Sequence, residues 1–234
     1  MSFSARTRGG EMAGSLWQAA ALLALAGNAI PASAAESPSE EAPLVVRGTP
    51  AARAPEVFGT VGLPVRAERY AELWNHVLAG RIDAPALQHF VAPARRLEPA
   101  AQLAFVQRAA GQLRWRSDAT VWGQHEYWAT AAETLQAGYA DDDCLAVLKM
   151  QALQALGWSP RNLYLTIGHD QVAGATTVLL VRTGEGFQLL DDRSERPLPA
   201  AERSGFVPQL SFSSAGHWLH GRLARTGGAT LAAR

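Results

Sequence analysis

The sequence predicts an α+β fold, helices first and an antiparallel sheet after them, on two observations. Between residues 67 and 156, apolar residues recur at helical spacing. From residue 163 the chain changes to short β-branched and aliphatic runs separated by Gly-containing turns. That succession is the pattern of helices packed on one antiparallel sheet.

The elements follow in order. Arg6 and Arg8 precede a mostly apolar run over 13–30, and Ala32-Ser33-Ala34 supplies an Ala-x-Ala cleavage site, so residues 1–34 read as a secretory signal peptide. Gln18 and Asn28 interrupt the run, which falls short of the roughly 20 apolar residues of a membrane-spanning helix. Residues 35–55, rich in Pro, Ala, Ser and Glu, read as a disordered linker. One domain is expected over 56–222, and 223–234 is a C-terminal tail.

Within the domain, Tyr70, Leu73, Trp74, Val77 and Leu78 mark one face of a helix over 67–80. A second helix is predicted over 99–113, with Leu103, Val106 and Ala110 inward. Thr130-Ala131-Ala132-Glu133 matches a capping box, and Gly138 stops the short helix it opens. A further helix over 143–156 buries Leu145, Leu148, Ala152 and Leu156 before Gly157 ends it. Strands are predicted over 163–167, 176–182 and 187–191, with a turn over 183–186, and Leu210 to Phe212 belong to a fourth.

Composition narrows the function. Lys and Arg number 21, as do Asp and Glu, so a net charge of zero argues against a nucleic-acid or anionic-membrane partner. The single cysteine excludes an internal disulfide, although an exported chain would meet an oxidising compartment. That cysteine lies in Gly-Tyr-Ala-Asp-Asp-Asp-Cys-Leu-Ala-Val-Leu-Lys, residues 138–149, after three carboxylates and at the start of a helix. A thiol at a helix N-terminus, an imidazole on a facing strand and a carboxylate to orient it form the arrangement of cysteine enzymes with papain-like and transglutaminase-like folds.

The chain resembles the bacterial transglutaminase-like cysteine peptidases, whose characterised members cleave adhesins in the periplasm. The resemblance runs over about 57–221. It rests on Phe58-Gly59, Leu73-Trp74, Trp128, Glu133, Ala146, Lys149, Val178-Leu179, Leu190-Asp191, Pro208-Gln209-Leu210-Ser211-Phe212 and Trp218. It implies a papain/transglutaminase-like fold, a periplasmic or secreted location, and a protein or peptide as substrate or ligand.

The family pattern at the nucleophile is Gly-Asp-Cys-Glu-Asp-Tyr-Ala with a Lys three residues on. Anchored on Ala146 and Lys149, it places Asp142 at the nucleophile and Cys144 on the second Asp; the family's His, two residues before Val178-Leu179, falls on Thr176, and its Asp, ending the third strand, on Asp191. Two readings follow. In the first the chain is a catalytically impaired homologue, a pseudoenzyme that binds a protein or peptide. In the second it is an active hydrolase that uses Cys144 as nucleophile, His169 in or near the hairpin connection as base, and Asp191 as orienter.

The three aspartates oppose thiolate formation at Cys144. They read as cap and first-turn residues of the helix, with Asp141 and Asp143 as calcium candidates, since some relatives of the family bind that ion beside their nucleophile. No other cofactor is implied. His217 and His220, three residues apart with no evident third ligand, read as structural.

Overall fold

In the computed structural model, which describes residues 54–222, the helical half contains α1 (Ala71–Ala79), α2 (Pro85–Val91), α3 (Pro99–Ala110), α4 (Asp118–Val121), α5 (Ala131–Ala137) and α6 (Asp142–Ala155). A 3-10 turn, Glu68–Tyr70, leads into α1. Proline occupies the first turn of both α2 and α3, where its missing N–H costs no hydrogen bond. The capping box forms: the Glu133 N–H donates to the Thr130 hydroxyl, and the Thr130 N–H donates to the Glu133 carboxylate. Gly138 closes α5 at φ 72°, a left-handed conformation that suits glycine.

Helix α6 is the central element. The sequence predicts one buried face, yet every residue from Asp143 to Leu153 is buried, because α2, α3 and α5 pack against the helix on one side and the sheet on the other. Its polar residues are spent on neighbouring backbone. Gln151 donates to the Val77 carbonyl at the end of α1 (2.7 Å) and accepts from the Ala131 N–H at the start of α5 (2.7 Å). Lys149, 2% exposed, donates to the carbonyls of Leu190 (3.5 Å) and Asp191 (2.9 Å).

The strands are β1 (Val61–Pro64), β2 (Arg114–Trp115), β3 (Tyr139–Ala140), β4 (Leu163–Asp170), β5 (Gly174–Thr183), β6 (Gly186–Leu190), β7 (Leu198–Pro199), β8 (Phe206–Ser213) and β9 (Gly216–Gly221). Among the described residues, seven form one antiparallel sheet in the order β1-β9-β8-β4-β5-β6-β7. β2 and β3 form a separate parallel pair. One face of the large sheet carries Tyr164, Val178, Leu180, Leu189, Phe206 and Trp218, packed under Val57 and Phe58. On the other face, Phe212 meets the rings of Tyr70, Trp74 and Trp128 from the helical layer.

The predicted α+β architecture is therefore the observed one, with extensions. α2, α4, β1, β7 and β9 go beyond the sequence reading. β4 runs on through His169 to Asp170, because β5 pairs with it as far as Gly174. His169 accordingly lies on a strand opposite Ala175, one residue before β4 ends and the hairpin connection begins. The readings of 1–34 as a signal peptide, of 35–55 as a linker (apart from residues 54 and 55) and of 223–234 as a tail lie outside the described residues. No described helix is long and apolar enough to cross a membrane.

Candidate functional site

The site forms where α6 begins. Asp141 is the N-cap: its extended backbone and side-chain oxygen, 3.1 Å from the Cys144 N–H, satisfy a donor that the first turn leaves orphaned. The next residue, Asp142, receives two bonds from distant elements. The parallel pairing of β2 with β3 carries Trp115 alongside, and its indole N–H donates to Asp142 Oδ1 at 3.3 Å. From β5, the Thr176 hydroxyl donates to Asp142 Oδ2 at 2.7 Å. Asp142 and Thr176 are thus brought together, as the register of the resemblance predicts.

Asp191 follows the end of β6 and is buried. Its carboxylate accepts from the Arg193 N–H (3.1 Å) and pairs with Arg203 (3.5 Å), which also holds Asp170 at 2.6 Å. Its carbonyl accepts from Lys149 and from Gln107. The carboxylate therefore serves an arginine, with no contact to Thr176 among these bonds. His169 is exposed. It lies opposite Ala175, one residue beyond Gly168, the partner of Thr176.

Cys144, in the first turn of α6, is 1% exposed. Its thiol donates to the Tyr127 carbonyl (3.4 Å) and to Asp118 Oδ1 (3.7 Å). Burial, then the charges of Asp141 and Asp118, push the thiol far above its ordinary pKa and suppress the thiolate. Neither of its acceptors is an imidazole.

Around the thiol lies a group of carboxyls that sequence spacing did not connect. Asp118 opens α4, accepts from the Tyr127 N–H at 2.6 Å, and hydrogen-bonds to Asp141. Burial pushes its pKa up to about 6. Burial likewise raises Asp141 and Asp143 well above the ordinary carboxylate range, and raises Glu126, which accepts from Trp128 Nε1 at 2.9 Å. One oxygen each of Asp118 and Asp141 and the Cys144 sulfur lie within 4.8 Å of one another, a grouping able to surround a cation. Of the two predicted calcium candidates, Asp141 belongs to this group and Asp143 does not. The residue before Asp118 is Ser117, an ordinary helix-start signal, so nothing in the sequence marked Asp118 for this place.

The histidine pair has structural roles. The Thr60 hydroxyl donates to the Val57 carbonyl and bonds with His220 Nδ1 (2.8 Å), and His220 Nε2 bonds with the Ser211 hydroxyl (2.8 Å). His217 packs edge-on against Trp74.

A helix start set against an inner strand of an antiparallel sheet, with Asp142 and Thr176 paired across the gap, is the arrangement expected of the transglutaminase-like α+β class. The match is specific: residues 96–220 fit the family model of the bacterial transglutaminase-like cysteine proteinases, and the chain belongs to that family. Among solved structures it is similar to Legionella pneumophila LapG in a calcium-bound form, with 22% identity over 68% of this chain and 93% of that one and a TM-score of 0.52. It is also similar to LapG in an EGTA-treated form, with 22% identity, 67% and 87% coverage and a TM-score of 0.51. At these identities the likeness concerns the fold. No curated protein matches.

Proposed function

We propose that this chain is an exported, catalytically impaired member of its family that binds a protein or peptide beside the start of α6 without cleaving it. The observation that carries this reading is the 2.7 Å bond from the Thr176 hydroxyl to the Asp142 carboxylate, across the gap where the resemblance expects a thiol and an imidazole. A carboxylate lacks the nucleophilicity of a thiolate, and a threonine hydroxyl cannot take up a proton as an imidazole does. Trp115, 38% exposed beside Asp142, offers an aromatic surface for a bound segment. Export is supported by the residue pattern at 1–34.

The rival reading, hydrolysis through Cys144 with His169 as base and Asp191 as orienter, has little support in the geometry. The thiol is enclosed, its hydrogen-bond acceptors are Asp118 and the Tyr127 carbonyl and not an imidazole, and Asp191 is engaged by Arg203. Iodoacetamide labelling of the native full chain, followed by intact mass, separates the two. Cys144 is expected to stay unmodified over an hour and to react fully in denaturant. Rapid native labelling, with hydrolysis of denatured casein that Cys144→Ser abolishes, would establish the active enzyme instead.

Calcium, the ion named for one of the Legionella structures, fits the cluster at α6 poorly. That ion takes six to eight hard oxygen ligands. Here a soft sulfur sits among the oxygens, and its proton is directed at Asp118 and at the Tyr127 carbonyl, two oxygens such an ion would need.

A further inference from the structure

We propose that this chain excludes calcium at the start of α6, and that the Cys144 thiol does the excluding. Its hydrogen bonds to Asp118 and the Tyr127 carbonyl close the cluster internally, so the domain reaches its native fold without that ion.

The donor set shows why one residue decides the matter. Asp118 Oδ1 and an Asp141 oxygen lie within 4.8 Å of the sulfur, and the Tyr127 carbonyl is 3.4 Å from it. With a carboxylate in place of the sulfur, this space would hold three acidic side chains and a backbone carbonyl, a set of hard donors suited to calcium. With the thiol, the central ligand is soft and carries a proton that it gives to two of the other members. The remaining bonds are also satisfied within the protein: Asp141 accepts from the Cys144 N–H, and Asp118 accepts from the Tyr127 N–H. A calcium ion entering here would have to displace the thiol proton and break both of its bonds.

The test is thermal unfolding of the full chain and of Cys144→Asp, each in EGTA and in millimolar calcium. An ion that binds only the native state raises the unfolding midpoint. The wild-type midpoint is expected to move by less than about 1 °C. Cys144→Asp, which removes the thiol bonds and supplies a third carboxylate, is expected to melt lower in EGTA and to gain roughly 5–10 °C in calcium at a hundredfold excess over its dissociation constant.

A calcium-dependent rise in the wild-type midpoint overturns the proposal, and so does a Cys144→Asp chain that folds and ignores calcium, since the thiol is then not what excludes the ion. Should the variant fail to fold, terbium, a luminescent substitute for calcium, decides on the wild-type chain alone. Absence of tryptophan-sensitised emission upholds the exclusion, and calcium-displaceable emission refutes it. None of these outcomes depends on whether the chain is a peptidase.

Discussion

Glu133 accepts four hydrogen bonds beside the site, and its removal gives a prediction that can be worked out bond by bond. Oε2 accepts from the Thr130 N–H (2.8 Å), the Thr130 hydroxyl (2.8 Å) and His76 Nε2 (2.9 Å), and Oε1 accepts from the Tyr127 hydroxyl (2.9 Å). The capping interaction at the start of α5 is worth about 1 kcal/mol. The hydroxyl of Tyr127, donating to a carboxylate, adds about 1.5 kcal/mol. The contact with His76, 38% exposed, adds little.

Glu133→Ala is therefore expected to cost about 2–3 kcal/mol, which for a domain of this size lowers the midpoint by roughly 5–10 °C. Thr130→Ala alone should cost about 1 kcal/mol. Because the two residues share bonds, the double variant should cost less than the two single losses together, by at least about 0.5 kcal/mol. The assay is urea unfolding followed by tryptophan fluorescence. A Glu133→Ala chain within about 0.5 kcal/mol of wild type, or strict additivity in the cycle, would refute the reasoning.

Acid should weaken the same network. Burial works to raise the Glu133 pKa, but the bonds from Thr130, His76 and Tyr127 outweigh it and hold the pKa below its ordinary value. The native state thus binds this proton later than the unfolded chain does. Its contribution is complete above the ordinary value of 4.5 and is lost as pH falls through the native one.

Other consequences are equally open to measurement. Burial pushes the His220 pKa down to about 4 from an ordinary 6.5, so the unfolded chain binds the proton first and stability should fall as pH drops from about 6.5 to about 4. The loss is at most about 3 kcal/mol, and about 2 after allowance for the solvent that reaches the ring; His220→Gln should flatten that part of a pH–stability curve, and an unchanged curve would count against the assignment. Gly168 lies opposite Thr176, and a Cβ there would stand 2.6 Å from the Val207 carbonyl oxygen and 2.4 Å from a Phe206 ring carbon. Gly168→Ala should therefore cost at least about 1–3 kcal/mol, read as a lowered denaturation midpoint, and a neutral result would mean that β8 yields easily.

What could be read in the sequence was local. The Thr130 and Glu133 box and the Gly138 stop depend on neighbours within a few residues and formed at their predicted places, and the three aspartates read as cap and first turn divide into an Asp141 cap and a first turn of Asp142 and Asp143. The strands β4, β5, β6 and β8 showed their composition, but β1 did not. Val61 finds its partner Gly221 only at the far end of the domain, and four residues ending in a proline give almost no periodic signal. α6 had a readable apolar face, whereas its burial on all sides depends on three other helices meeting it.

The site divides the same way. A family register was enough to link Asp142 with Thr176, residues 34 apart in the chain. The approach of Asp118 and Glu126 to the start of α6 depends on how the loop from 122 to 130 folds back, and no spacing rule expresses that.

The bond between Thr176 and Asp142 also bears on how such a chain could change. Asp142→Cys alone would set a thiol against a hydroxyl that cannot ionise it. Thr176→His alone would set an imidazolium against a carboxylate, a stable ion pair with nothing to attack a peptide. Each single step forfeits the 2.7 Å bond and returns no chemistry, so under the proposed function a route to a peptidase through this pair has no profitable first move. Under the proposed function the pair would work as a ratchet: with both positions changed, selection acting on one codon at a time would preserve the arrangement far more easily than undo it.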